Sequence, residues 1–422
     1  MRSLAEVTII GMFTVVLMAY YLPPLLFRWI TVSRGQLRQV PLTFKRLTYS
    51  LFALLFFLFG MFLFFIPFTY LYFHFGKDTE RKKLRLHRML CSVSGFVIRH
   101  VPGVKFSFSN QTDERFDRPA VIICNHQSHL DLMCLMMLTP KLIFITKDWV
   151  WHNPFYGYVI RKADYYPASN GIDENIPRIR QLVERGYSVV IFPEGTRSED
   201  CRILRFHKGA FYLAEQLGID ILPIFIHGVG HVLPKKDFML RSGSIHVEID
   251  KRICPQDTSF GEGYRERTSK IHKYYISHYA EICNRQETAK YFLPYVEYKY
   301  MYKGHEVEKS CRRIWRQHDE LKRYIDNGCS GVSRVSVVNS GNGELAWLMA
   351  LVNKDVEVLA YERDEEKYSL ASHCSSIPQN LHFIRLDGQG IDVADGELCY
   401  VINPTDEDKL EYTSANVKYI QI

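Results

Sequence analysis

Two long stretches of this sequence carry no charged side chain. Val7–Phe27 (VTIIGMFTVVLMAYYLPPLLF) has none, and neither does Leu47–Phe75 (LTYSLFALLFFLFGMFLFFIPFTYLYFHF). A bilayer-spanning helix needs about 20 such residues, so the two blocks exclude a chain that is water-soluble throughout. The first lacks a small-residue cleavage site and is too long for a signal-peptide core, which excludes a cleaved leader. The ten cysteines contain no CxxC pair and no regular framework. That argues against a disulfide scaffold and for reduced cytosolic thiols. No stripe of Lys and Arg is interleaved with aromatics, which disfavours nucleic acid as a partner. Internal repeats and low-complexity tracts are absent.

Charge is present elsewhere, and it is uneven. The formal net charge is +7, yet Asp387–Ile422 holds eight acids against Lys409 and Lys418 alone. The membrane-proximal part is basic: Thr31–Arg46 has no acid, and GKDTERKKLRLHR follows the second block. Such a surface suits anionic lipids, phosphorylated substrates or an acidic carrier. Basic loops face the cytoplasm, so both segments are expected on that side. Leu47–Phe75 would then turn back within the bilayer near Gly60 or Pro67, as a helical hairpin. Two ordinary spans are the alternative.

Downstream the pattern alternates between strand and helix. VKFSFS (Val104–Ser109) reads as a half-buried strand, while AVIIC and LIFIT are short continuous apolar runs of the buried type. Residues Ile172–Arg185 look helical, ended by Gly186 before the strand YSVVIF. KGAFYLAEQLG is a second helix with Gly218 past its end, followed by the strands ILPIFI and SIHVEID. The fold class expected is α/β, with a mixed sheet covered by helices. Membrane-embedded helices are expected over 1–76, this α/β domain over 77–290, a helical connector over 291–330 and a second α/β domain over 331–422. The last carries five strand candidates: VSRVSVVN, VEVLAYE, LHFIRL, ELCYVI and VKYIQI.

Chemistry concentrates in Cys124-Asn-His-Gln-Ser-His-Leu-Asp131, just after AVII. Five residues along an ideal helix turn through about 140°, so His126 and Asp131 would not share a helical face. If His126 sits in the turn before the helix, its ring can fold back toward Asp131. A carboxylate on one ring nitrogen then leaves the other free as a general base. Three other readings stand beside this one. Ser128-His-Leu-Asp131 is a capping-box pattern. Cys124, His126 and His129 could hold zinc, without a standard ligand spacing. Cys124 or Ser128 could act as nucleophile, although neither sits in a nucleophile elbow. A second constellation, IFPEGTRSED (Ile191–Asp200), leaves a buried-type strand at the sheet edge where ligands bind. There Arg197 offers a planar fork for phosphate, with Thr196 and backbone N–H groups as further donors. Lys208, in RFHKGAF, is another candidate anion contact.

In these blocks the sequence resembles the glycerolipid acyltransferases of the lysophosphatidate acyltransferase type. NHQSHLD resembles the family's first block, PFYGYVIRKADYYPASN its second, FPEGTRS its third and ILPIFIHG its fourth, together covering about residues 100–250. The resemblance implies His126 as general base and Asp131 as its orienting partner. It implies Glu194, Gly195, Thr196 and Arg197 around the acceptor's phosphate or equivalent head group, and Pro223 shaping the acyl-donor channel. The implied reaction moves a fatty acyl group from acyl-carrier protein or acyl-coenzyme A to a lysophospholipid hydroxyl. No cofactor or metal is required. One departure stands out: the second block usually ends in an arginine where this chain has Ser169-Asn170, and Arg161 lies nearby out of register. That leaves open the acceptor's identity, an amino-acid-containing lysolipid included.

The tail resembles the start of an S-adenosylmethionine-dependent methyltransferase. VVNSGNGELAWLMA runs from a strand through Gly341 and Gly343 into a helix, and Glu362 ends the next strand about 20 residues on. This implies a small, Rossmann-like C-terminal domain with Gly341, Gly343 and Glu362 as cofactor-binding candidates. Asn339 stands where an acid is usual and Leu345 where a small residue is, which makes a degenerate domain the expectation. The arrangement resembles bacterial polypeptides joining a lipid transporter, this acyltransferase type and a methyltransferase-like region. It implies an inner-membrane protein whose catalytic domain faces the cytoplasm. The rival is a catalytically idle membrane scaffold whose tail binds a ligand or partner.

Overall fold

A computed structural model describes residues 21–33, 36–37, 40–75, 79–153, 157–167, 171–237, 239–316, 323–327, 331–387, 397–412 and 416–421, with isolated residues outside these stretches. The chain divides into two compact units, Lys45–Cys283 and a second formed by Met1–Phe44 with Asn284–Ile422.

The first unit is built on seven strands: β1 (Val104–Asn110), β2 (Ala120–Cys124), β3 (Leu142–Thr146), β4 (Tyr166–Pro167), β5 (Ser188–Ile191), β6 (Asp220–His227) and β7 (Gly243–Ile249). Their order across the sheet is β1-β7-β6-β2-β5-β3-β4. Every pair is parallel except β6–β7. The sheet is therefore mixed, as the sequence pattern implies. Helices α1 (Glu80–His100), α2 (Leu130–Met136), α3 (Gly171–Glu184), α4 (Gly209–Leu217) and α5 (Tyr264–Gln286) accompany it. All five residues of β2 are buried, which explains its unbroken apolar run: a central strand covered on both faces has no polar side. Each such Ile or Val contributes roughly 1.5–3 kcal/mol by leaving water. The α4 helix ends where Gly218 adopts φ +67°, a left-handed cap that glycine takes without a Cβ clash.

Among the described residues, one helix is long and apolar enough to cross a membrane: Phe44–His74, 31 residues. The expected reversal at Gly60 or Pro67 does not occur. Gly60–Phe65 widens into a π-helical stretch and Ile66–His74 continues as α-helix. Pro67 directly follows that widening inside the continuous helix, where its ring removes one N–H from the ladder. Most of Val7–Phe27 lies outside the described residues; its end belongs to the helix Leu22–Thr31, whose first turn holds Pro23.

The second unit contains β8 (Arg334–Val338), β9 (Glu357–Glu362), β10 (Leu381–Arg385), β11 (Leu398–Ile402) and β12 (Val417–Ile420). All five expected strands form, in the order β10-β9-β8-β11-β12 and all parallel. The segment read as a connector does more than connect. Helix α6 (Ala289–Tyr300) buries Ala289, Phe292, Val296 and Tyr300 in the same core as Val335 and Trp347. Spacings of three and four put those four on one helical stripe, which needs an apolar partner. Helix α7 (His305–Arg316) follows, and α8 (Glu344–Val352) leaves the glycine turn after β8.

Candidate active site

Strands β2 and β5 are neighbours in parallel register, Ile123 opposite Ile191. The segments that follow them, 125–129 and 192–198, therefore emerge together at the same sheet edge. Asn125 extends the sheet by one step: its Nδ2 donates to the Ile226 carbonyl at 2.7 Å and its Oδ1 accepts the Ile226 N–H at 2.9 Å. Tyr275 on α5 completes the clamp, accepting the Asn125 N–H at 2.9 Å and donating to the Ile224 carbonyl at 2.6 Å. With Asn125 pinned, residues 125–129 form the turn that joins β2 to α2.

The histidine lies in this turn, ahead of α2, so the helical-face objection does not apply. Its Nδ1 is 2.8 Å from Asp131 Oδ2. The same oxygen accepts the N–H groups of Gln127 (2.7 Å) and Ser128 (2.8 Å). Asp131 thus does both jobs that the sequence left open, tying down the helix start and holding the imidazole. Only half of the capping box is formed, because the Ser128 hydroxyl accepts from Leu130 N–H and donates to the Leu233 carbonyl. Asp131 is fully buried, whereas the His126 side chain keeps 19% of its exposure. Phe192, just past β5, stacks on the imidazole with ring centroids 4.1 Å apart and planes 21° apart. A carboxylate on Nδ1 selects the tautomer that carries its proton there, leaving the Nε2 lone pair available.

Neither alternative use of Cys124 fits. Its side chain is buried, and burial raises the thiol well above its usual pKa, whereas metal ligation and nucleophilic attack both need the thiolate. Ser128 is likewise buried, its hydroxyl committed to Leu233. Burial also lowers the His129 pKa, assisted by the charges of Arg197 and His126.

Glu194 is not where the resemblance implies. Its carboxylate points inward, with Oε1 accepting the His126 N–H and Oε2 the Leu204 N–H, each at 2.9 Å. Both oxygens are taken by backbone, so Glu194 braces the histidine turn instead of facing an acceptor. Burial pushes its pKa up to about 7, against the pull of the two amides. Gly195 adopts φ +65°, and a Cβ there would meet the His207 ring at 3.2 Å; this close approach lets His207 N–H reach the Pro193 carbonyl at 2.8 Å. Thr196 is exposed and Arg197 half-buried. Arg197 makes no ion pair among the described residues, and its pKa is lowered by burial against the opposing pull of Asp131. The turn is locked to the first block a second time, because Ser198 N–H donates to the His126 carbonyl at 2.8 Å. Lys208 is exposed immediately before α4.

Pro223 is buried inside β6, level with Ile123. The β6–β7 ladder begins only at Ile224, and an isolated bridge joins Ile221 to Ile253. A residue without an N–H is tolerated at such an interruption. The structure therefore places Pro223 within the sheet, at a gap in its ladder. Arg161 donates to the Trp151 carbonyl at 2.7 Å and lies over the indole. Ser169 and Asn170 are outside the described residues.

In the second unit the expected cofactor residues hold one another. Glu362 accepts the Gly341 N–H at one oxygen and the Arg363 and Asp364 N–H groups at the other, so backbone amides hold its carboxylate. A Cβ on Gly343 would clash with the Phe383 ring, so that glycine serves packing. Gly341 at φ +61° has open space where a Cβ would be. Asn339, Asp408 and Arg363 form a chain across the strand ends: Asn339 Nδ2 to Asp408 Oδ2 at 3.0 Å, and Arg363 to Asp408 Oδ1 at 2.9 Å.

Sequence reasoning passed over Asn125, Gln127, Phe192 and Tyr275. Asn125 and Phe192 lie inside the recognised blocks and could have been noted from them. Tyr275 carried no local signal, because its role depends on an α5 contact 150 positions away from Asn125.

Residues 105–227 match the acyltransferase family model. The chain is 35% identical over 142 residues to a chloroplastic 1-acyl-sn-glycerol-3-phosphate acyltransferase of Arabidopsis thaliana, covering 32% of this chain and 40% of that one. It is 28% identical over 171 residues to the human 1-acyl-sn-glycerol-3-phosphate acyltransferase beta, covering 38% and 62%. The chain thus spans less than two thirds of these relatives. Among solved structures, the 1-acyl-sn-glycerophosphate acyltransferase PlsC of Thermotoga maritima aligns with a TM-score of 0.47 at 20% identity, over 56% of this chain and 97% of that one.

Proposed function

We propose that this acyltransferase-domain chain is a membrane-bound O-acyltransferase. It moves a fatty acyl group from acyl-carrier protein or acyl-coenzyme A to the hydroxyl of a lysophospholipid of the 1-acylglycerol-3-phosphate kind. The observation that carries this reading is the His126–Asp131 contact at 2.8 Å, beside an arginine with no carboxylate partner among the described residues. The similarity of residues 105–227 to named lysophosphatidate acyltransferases supports it.

The chemistry follows from the parts. Asp131 accepts the Nδ1 proton, so His126 Nε2 can take the proton of the acceptor hydroxyl as that oxygen attacks the thioester carbonyl. The resulting imidazolium is stabilised by the buried carboxylate. Collapse of the tetrahedral intermediate forms the ester, and the departing thiolate takes the proton back from Nε2. A positioned base of this type contributes about 10²–10⁴-fold. Arg197 and the exposed Thr196 are the groups placed to hold the acceptor's phosphate or equivalent, with Lys208 as a further cation. Phe44–His74 anchors the chain in a bacterial inner membrane, with the catalytic unit on the cytoplasmic side.

The second unit is proposed to be a Rossmann-like domain that packs or binds a partner. Its self-bonded Glu362 supports this. Calorimetric titration of the full chain with S-adenosylmethionine is expected to give no binding heat, and saturable binding would return Glu362 to a ligand role.

To test the transferase reading, membranes holding the chain are incubated with labelled acyl-carrier protein or acyl-coenzyme A and a panel of lysolipids. Labelled diacyl product is expected from one acceptor class. If no acceptor is labelled, or His126→Ala labels equally well, the idle scaffold becomes the better account.

A further inference from the structure

Helix α1 presents an unusual face. Arg81, Arg85, Arg88 and Arg99 are all exposed, and at 100° per residue they fall within about 60° of one another around the axis. Ser92 lies among them, Phe96 borders the stripe at 62% exposure, and Val93, 48% exposed, lies about 60° further around the helix. From Arg81 to Arg99 the stripe runs about 27 Å at 1.5 Å per residue.

None of the four arginines makes an ion pair among the described residues. The remaining lysines of this helix are occupied. Lys82 donates to the carbonyls of Tyr72 (2.9 Å) and Phe75 (2.6 Å), closing the end of the apolar helix. Lys83 binds Asp164 at 2.7 Å. The one acid of α1, Glu80, takes Arg185 at 3.1 Å and the Tyr187 hydroxyl at 2.8 Å, about 100° around the helix from Arg81. Exposed helices elsewhere interleave their charges, as Glu266–Lys270 on α5 and Glu308–Arg312 on α7 show. An ordinary solvated face is built that way, with opposite charges one turn apart. Five turns carrying four arginines and Phe96, with no acid on this face, are not.

We infer that this stripe docks on an anionic lipid surface, with the arginines at the phosphate level and Phe96 and Val93 entering the edge of the bilayer. Arginine on the polar face beside exposed apolar residues is the composition of a helix lying in the membrane interface. Juxtamembrane cations are attracted to anionic leaflets. The stripe begins within seven residues of the end of the apolar helix, and the Lys82 bonds hold the two helices together. The inference rests on the reading that Phe44–His74 lies in the membrane.

The test uses the full chain in vesicles of neutral phosphatidylcholine, with or without phosphatidylglycerol. Arginines are modified with p-hydroxyphenylglyoxal and quantified by peptide mass spectrometry, with exposed Arg265 on α5 as internal reference. Adduct yields at Arg81, Arg85 and Arg88 are expected to fall about threefold or more relative to Arg265 in anionic vesicles, and to recover in high salt. Equal yields in the two vesicle types would overturn the inference, as would protection that salt does not reverse. Alkaline carbonate extraction separates the two readings: release of the chain sinks the membrane anchor itself, while retention with unprotected arginines sinks only the stripe.

Discussion

Glu194 accepts the backbone N–H of His126 at 2.9 Å across 68 positions of sequence. This bond, with the Ser198 N–H returning to the His126 carbonyl, makes the two sequence blocks one rigid piece. The geometry of the imidazole is thereby set by a residue that need not touch any substrate.

Removing the proposed base is the most direct check. His126→Ala is expected to lower turnover by about 10²–10⁴-fold while the protein stays folded, since the ring is partly exposed. Asp131→Ala should do more, because two buried N–H groups lose their acceptor at roughly 1–3 kcal/mol each. Rates in membranes and thermal midpoints in detergent separate the two effects; an active His126→Ala removes that residue from the mechanism.

Glu194 gives a pH signature. Its folded pKa, near 7, lies above that of an unfolded glutamate, so the folded state holds the extra proton. The stability this adds is complete below about pH 4.5 and is lost as pH rises through about 7. Thermal midpoints of the wild type should therefore fall over this window relative to those of Glu194→Gln, which cannot titrate. Parallel curves would mean that Glu194 does not titrate there.

Substituting Phe192 tests the stack. Phe192→Ala leaves the Asp131 bond intact but frees the ring, at roughly 0.5–1.5 kcal/mol. Turnover is expected to drop about 2- to 10-fold with little change in KM, as steady-state kinetics would show. A pure KM effect would assign Phe192 to substrate binding instead.

In the second unit, Gly343→Ala combines a positive φ with a clash against Phe383. It should destabilise this unit by about 1–3 kcal/mol or more. Adding Phe383→Ala relieves the clash but not the backbone strain, so protease resistance of the unit should return only in part. Full resistance of the single variant would contradict the packing role.

Much of the fold was legible because the signals are local. AVIIC and LIFIT read as buried strands from five residues each, and Gly186 and Gly218 marked helix ends by their freedom at positive φ. The spacing of His126 and Asp131 permitted a contact without demanding one. The reversal expected in Leu47–Phe75 failed because charge on flanking segments says nothing about whether Gly60 breaks a helix. The inward turn of Glu194 was illegible for another reason: the same side chain beside Arg197 would look identical in sequence whether it faced a ligand or a backbone amide.

By itself the sequence determined where strands, helices and apolar blocks lie, since periodicity, hydrophobicity and glycine act over a few residues. Only the tertiary structure decided which polar groups meet. Burying a carboxylate or an amide requires a partner, and for Asn125, His126 and Glu194 the partners come from β6, α5 and the neighbouring strand's loop. Those pairings are set by the order of strands in the sheet, which no local stretch encodes.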